Sequence, residues 1–146
     1  MLQKNLLILF LFLVGCGYTP MYSNLSKTNI NIDIIEVKGD VKINNTIIQK
    51  LEKYKTVNAQ DNYTVKINSI YKKTPLIKDK AGNTTDYRLK LEVVFLIDMN
   101  ENSQKIIIEE KFDMKKGETN FQEEKYEDIL VDDMINIIIQ KFISQL

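Results

Sequence analysis

The stretch INIDIIEVKG, residues 30–39, puts Ile30, Ile32 and Ile34 on one face of an extended chain, and Gly39-Asp40 ends the run. This period of two predicts a strand. Ile43, Ile47, Leu51 and Tyr54 then recur at helical spacing. They predict a helix over about residues 44–56, with Asn44, Asn45 and Thr46 as candidate caps. Alternation returns in NYTVKINSIY, where Tyr63, Val65, Ile67 and Tyr71 share a face, so this is a second strand. The segment KKTPLIKDKAGNTT, residues 72–85, carries Pro75 and Ala81-Gly82-Asn83 and reads as a turn-rich connection. Tyr87, Leu89, Leu91, Val93, Phe95, Ile97 and Met99 are all apolar at period two, the clearest strand of the chain. A hairpin turn at Asn100-Glu101-Asn102-Ser103 leads to a fourth strand with Ile106, Ile108, Phe112 and Met114 on one face. After Gly117 the period changes again. Tyr126, Leu130, Met134, Ile137, Ile138 and Phe142 form a helical stripe running to the C-terminus.

The predicted order is β-α-β-β-β-α, an α+β fold with a four-stranded mixed sheet. A parallel β-α-β crossover is right-handed almost always, which places both helices on one sheet face. Residues 30–146 form a single domain in this reading, with no internal repeat.

Residues 1–15, MLQKNLLILFLFLVG, have one basic residue, Lys4, and an unbroken apolar run from Leu6 to Val14. A membrane-spanning helix needs about 20 apolar residues. This run is too short for that and fits the apolar region of a signal peptide. Its end, Leu13-Val14-Gly15-Cys16, resembles the bacterial lipobox, which implies a diacylglyceryl thioether on Cys16, cleavage before it and acylation of the new N-terminus. Each buried CH₂ of an acyl chain contributes about 0.8 kcal/mol, so three chains make a lasting anchor. Gly17 follows the cysteine. In the enterobacterial sorting pattern Asp at that place favours the inner membrane, so Gly17 points to the outer one. Residues 16–29 then read as a lipidated tether, its 13 residues after Cys16 reaching roughly 43 Å when extended.

Charge and composition narrow the function. Removing residues 1–15 leaves 131 residues with 19 basic and 20 acidic side chains, which is no profile for nucleic-acid binding. There is no His, and the single Cys is assigned to lipid. His-based acid–base chemistry and the usual zinc sites are thereby excluded. Adjacent carboxylates on a strand point to opposite faces, so Glu109-Glu110 is no catalytic dyad, and Glu123-Glu124 and Asp132-Asp133 read as solvated helix surface. The chain is expected to be no enzyme and to need no cofactor or metal.

Two surface features stand out instead. The second face of the sheet collects Ile35, Val37, Ile70, Val94, Leu96 and Ile107. These are either scattered surface aliphatics or a contact face for a partner. The second feature follows from topology. If strands two to four form an antiparallel meander, the connection after strand two lies at the same end as the exit from strand four. That end gathers Lys72, Lys73, Lys78, Lys80 and Arg88 with Lys115 and Lys116, while the hairpin from Asp98 to Glu101 at the opposite end is acidic. The basic end is either a solvated lysine-rich loop or an anion-binding site, and it lies far from the tether.

The residues resemble the LptE family of lipopolysaccharide-assembly lipoproteins in its short alphaproteobacterial form. Cys16-Gly17-Tyr18-Thr19-Pro20-Met21-Tyr22 is similar to that family's Cys-Gly-aromatic-x-Pro-Leu-Tyr start, with Met21 in place of Leu. Tyr87-Arg88-Leu89-Lys90-Leu91 followed by Val93, Phe95 and Leu96 resembles its third-strand signature, and the long C-terminal amphipathic helix also matches. The resemblance implies a non-enzymatic plug and assembly partner of an LptD-like outer-membrane barrel, serving lipopolysaccharide transport to the outer leaflet. It implies lipopolysaccharide as a ligand, attachment to the periplasmic face of the outer membrane through the lipid anchor, and no nucleic acid. The basic end would then meet lipid A phosphates, with Arg88 foremost because its planar fork suits phosphate better than Lys does. Two other classes stay open: an envelope-maintenance lipoprotein of similar shape, and a small periplasmic lipid- or peptide-binding domain.

Overall fold

The computed structural model describes residues 30–56, 59, 61–99 and 102–146. The signal peptide, Cys16 and the tether lie outside the described residues, as do Asn100 and Glu101 of the hairpin. Strand β1 (Ile30–Gly39) leads to helix α1 (Val41–Leu51), which tightens into a 3₁₀ turn (Glu52–Tyr54). Strands β2 (Asp61–Lys78), β3 (Thr84–Met99) and β4 (Asn102–Lys115) follow, and helix α2 (Asn120–Ile143) ends the domain. The sheet order is β1-β2-β3-β4, with β1 parallel to β2 and the other pairs antiparallel. This is the expected β-α-β-β-β-α mixed sheet with two helices.

Among the described residues, one face of the sheet is covered and the other is bare. Leu89, Leu91, Val93 and Phe95 of β3 are wholly buried beneath the helices, whereas Arg88 and Leu96, at alternate positions, are exposed. The α1 residues Ile43, Ile47 and Leu51 join the same core. The rings of Phe95 and Phe142 stack with centroids 4.0 Å apart, fixing α2 against the sheet.

Helix α1 starts earlier than its sequence suggested. Asp40 is the N-cap, its carboxylate accepting the Ile43 N–H at 3.0 Å. Asn44, expected as a cap, is buried and donates its side-chain amide to the Lys38 carbonyl at 3.0 Å, tying the helix back onto the end of β1. The buried stripe of α2 is Met134, Ile135, Ile138, Ile139, Phe142 and Ile143. Tyr126 and Ile137 of the expected stripe are instead exposed and half-buried. The run Ile137-Ile138-Ile139 is apolar all round, so spacing alone did not select which face turns inward.

The largest difference lies in residues 72–85. Strand β2 continues through Lys72, Lys73 and Pro75 to Lys78, paired with β3 as far as Thr84. Pro75 is tolerated because β1 ends opposite Ser69, leaving this part of β2 as an edge where a missing N–H breaks no ladder. The true turn is Asp79–Asn83. The Asp79 carboxylate accepts the N–H groups of Ala81 and Asn83, each at 2.8 Å, and Gly82 takes φ of +85°.

Candidate functional site

The meander brings the seven cations read from sequence to one end of the sheet. Asp86 pairs with Lys115, Arg88 with Asp113 and Lys78 with Thr84, and the Lys116 N–H donates to the Thr85 carbonyl at 2.8 Å. They are not equivalent there. Lys73 turns to the helix side, where Nζ meets Glu123 at 2.6 Å and Glu127 at 2.8 Å and lies 4.3 Å from the centre of the Tyr87 ring. Burial works against its charge, but the two carboxylates outweigh burial and raise its pKa. Glu123 is held below the usual carboxylate range by the hydrogen bond from Lys73. This clasp fastens the start of α2 to β2, and Lys73 is spent on it.

Arg88 stands on the bare face. Its guanidinium grips Asp113 of β4 in a fork, Nε at 2.8 Å and Nη2 at 3.0 Å. That hydrogen bond raises the Arg88 pKa and lowers that of Asp113. An anion would have to displace Asp113 to use the same fork. Among the described residues, Lys72, Lys78, Lys80, Lys115 and Lys116 have no carboxylate within 4.0 Å. These five carry the positive charge of the end. That Asp113, Glu123 and Glu127 would pair with these cations was not read from the sequence, because pairs 25 to 54 residues apart leave no local signal.

The apolar face is partly assembled. Val94 sits directly beside Ile107, with Leu96 next along β3 and Ile70 across from Glu92 on the same side. Their neighbours Lys38, Lys66 and Lys105 rim a shallow hollow of about 290 Å³ that has Val94 and Leu96 in its floor. Ile35 lies in a β-bulge between Ile34 and Glu36. The bulge reverses the alternation, so Val37 falls beside Ile67 on the helix side and leaves the face to which its spacing assigned it. Toward the basic end the face becomes a charge ladder. Glu109 binds Lys90 and, at 2.6 Å, Lys111, and the hydrogen bonds from Lys111 and Lys90 lower its pKa to about 2.

Among the described residues no group of three or more His, Cys, Asp or Glu side chains is placed to hold a metal ion. No described helix is long and apolar enough to cross a membrane.

The architecture defines a small α+β domain whose distinctive chemistry lies on broad surfaces: a lysine-rich end and a bare, half-apolar sheet face. The chain belongs to the LptE family, described as lipopolysaccharide-assembly, whose model matches residues 28–146. Comparison with curated proteins gives no match. Among solved structures, the fold is similar to rare lipoprotein B from Shewanella oneidensis, at 20% identity and a TM-score of 0.57, covering 79% of this chain and 96% of that one. It is also similar to a minor lipoprotein from Acinetobacter baumannii, at 17% identity and TM-score 0.53, covering 81% and 94%. Lipoprotein B from Nitrosomonas europaea shares the fold at 14% identity and TM-score 0.52, covering 80% and 83%.

Proposed function

We propose that this chain is an outer-membrane lipoprotein, anchored through Cys16, that acts as plug and assembly partner of an LptD-like barrel and helps deliver lipopolysaccharide to the outer leaflet. The observation that carries the reading is the match to the lipopolysaccharide-assembly family along the whole folded domain. The molecule's polarity supports it. β1 and β2 start together at Ile30 and Asp61, whereas the lysine-rich end lies beyond the far end of β1. A tether attached before Ile30 holds the first end at the membrane and leaves the lysines to meet the phosphates of incoming lipopolysaccharide. The patch of Val94, Leu96 and Ile107 supports a barrel wall as the covering surface.

Two experiments test the ligand and the anchor. A soluble form beginning at residue 17 is expected to bind lipopolysaccharide, and Lys78→Ser with Lys80→Ser should weaken binding about tenfold at low salt. Lys53→Ser with Lys55→Ser, near the tethered end, removes the same charge and should change little. Lys141 is unsuitable as a control because it pairs with Glu110 of β4. Equal losses from both pairs would contradict a localised site. Intact mass spectrometry of the membrane-bound chain should find Cys16 as the first residue, bearing three acyl chains. An unmodified Cys16 would overturn the anchor.

A further inference from the structure

The β-sheet has a vacated edge. β1 pairs with β2 only as far as Gly39 opposite Ser69, yet β2 runs on to Lys78 with β3 as its sole partner among the described residues. Among the described residues no strand pairs with the gap it leaves. β2 begins alongside Ile30, so α1 must carry the chain back toward that end and away from Ile70–Lys78. Pro75 has no N–H, so its pairing with Tyr87 cannot be a hydrogen-bonded one. Counting back by twos, Lys73 and Tyr71 also turn their N–H and C=O groups away from β3 and toward the empty side. Exposed edges are commonly blunted by lysine, proline or a bulge. Here the bulges and Pro75 protect only the far part of the edge, and Lys73 is neutralised by Glu123 and Glu127. Ile70 to Thr74 remains regular and open.

That edge borders a cleft of about 480 Å³ between α1 and α2, and Tyr71 belongs to both. The Tyr71 hydroxyl donates to Glu127 at 2.6 Å. Five carboxylates line the cleft, from Asp40, Glu124, Glu127, Asp128 and Asp132, against the single cation Lys42. Lys42, Lys50 and Lys73 engage Asp128, Asp132 and Glu127. Among the described residues Glu124 has no ion-pair partner, and the Asp40 carboxylate accepts only the N–H of Ile43 in its cap. Ile43, Val131 and Ile135 supply apolar surface below the carboxylates.

We infer that the open edge of β2 from Ile70 to Thr74 and the adjoining α1–α2 cleft form one docking site for an extended segment of another protein that carries Lys or Arg. The segment adds as a strand in line with β1, where alternate side chains point to the helix side. A basic side chain there lays its methylenes on Ile43 and Val131 and its charge beside Glu124. The edge shares Ile70 with the bare face and Lys72 with the lysine-rich end, but the inference uses the outward backbone groups of Tyr71 and Lys73 and the helix-side cleft, and it does not rest on the barrel and lipopolysaccharide reading.

The test uses the full-length chain in detergent and three capped eight-residue peptides. One alternates threonine and lysine, the second is the same peptide N-methylated at alternate residues, and the third has glutamate in place of lysine. The first is expected to bind and to slow hydrogen exchange at the Tyr71 and Lys73 amides. N-methylation and the change to glutamate should each weaken binding about tenfold or more, and Glu124→Gln in the protein should weaken the lysine peptide several-fold. No binding of the first peptide would overturn the site. Equal binding of the N-methylated peptide would overturn strand addition, and equal binding of the glutamate peptide would overturn the role of the acidic cleft.

Discussion

Ile138→Asp is expected to abolish the cooperative thermal melt of the domain. Ile138 is wholly buried on α2, in the same stripe as Phe142, whose ring stacks on Phe95 of β3. Removing a buried Ile side chain costs about 2–5 kcal/mol. A carboxylate in its place also loses hydration with no partner near it, which adds several kcal/mol. Together these approach the whole stability of a domain of this size, about 5–15 kcal/mol. Circular dichroism against temperature reads the effect. Ile137→Asp is the informative comparison, because Ile137 is half-buried and its substitution should leave a folded domain that melts at a lower temperature. A wild-type melt for Ile138→Asp would contradict the packing of α2.

Gly39→Ala should be nearly as damaging, although it adds one carbon. Gly39 sits at φ of +100°, where the chain leaves β1 for α1, and a Cβ there would lie 1.9 Å from the Ser69 carbonyl oxygen and 2.8 Å from its carbon. The obstacle is backbone, so no rotamer relieves it, and the end of the β1–β2 ladder must open. The left-handed conformation alone costs an L-residue about 1–2 kcal/mol. With the clash added, the loss should be about 3 kcal/mol or more. Gly82→Ala separates the two causes. Gly82 has φ of +85° but nothing within 4 Å of the added carbon, so only the conformational part applies. Urea unfolding of the two variants measures the difference. Equal losses would show that the Ser69 contact is relieved without cost.

What the chain revealed in advance follows from how local each interaction is. The alternation in β3 runs from Tyr87 to Met99 without a break, and that strand lies where it was read. Element order and helix side came from short-range period and crossover handedness, both set by neighbouring residues. Pro75 misled because its meaning depends on the neighbouring strand: it would end a central strand, yet here β1 has already stopped at Gly39. Val37 misled because the bulge after Ile34 shifts register by one residue, and no residue between Ile34 and Val37 announces it. Within the candidate site, the topology gathered the lysines as expected. Its selectivity was not readable, since the partners Glu123, Glu127 and Asp113 arrive from α2 and β4. Those partners separate structural cations, Lys73 and Arg88, from the lysines still open to an anion.

The central claim is that this domain lives as the partner of a large outer-membrane barrel. Its most direct test is purification of the full-length chain, tagged after Leu146, from detergent-solubilised outer membranes. The account predicts that an LptD-like barrel comes with it in fixed proportion, and that Leu96→Asp with Ile107→Asp on the bare sheet face releases the barrel while the domain stays folded. Recovery of the wild-type chain without any barrel would contradict it.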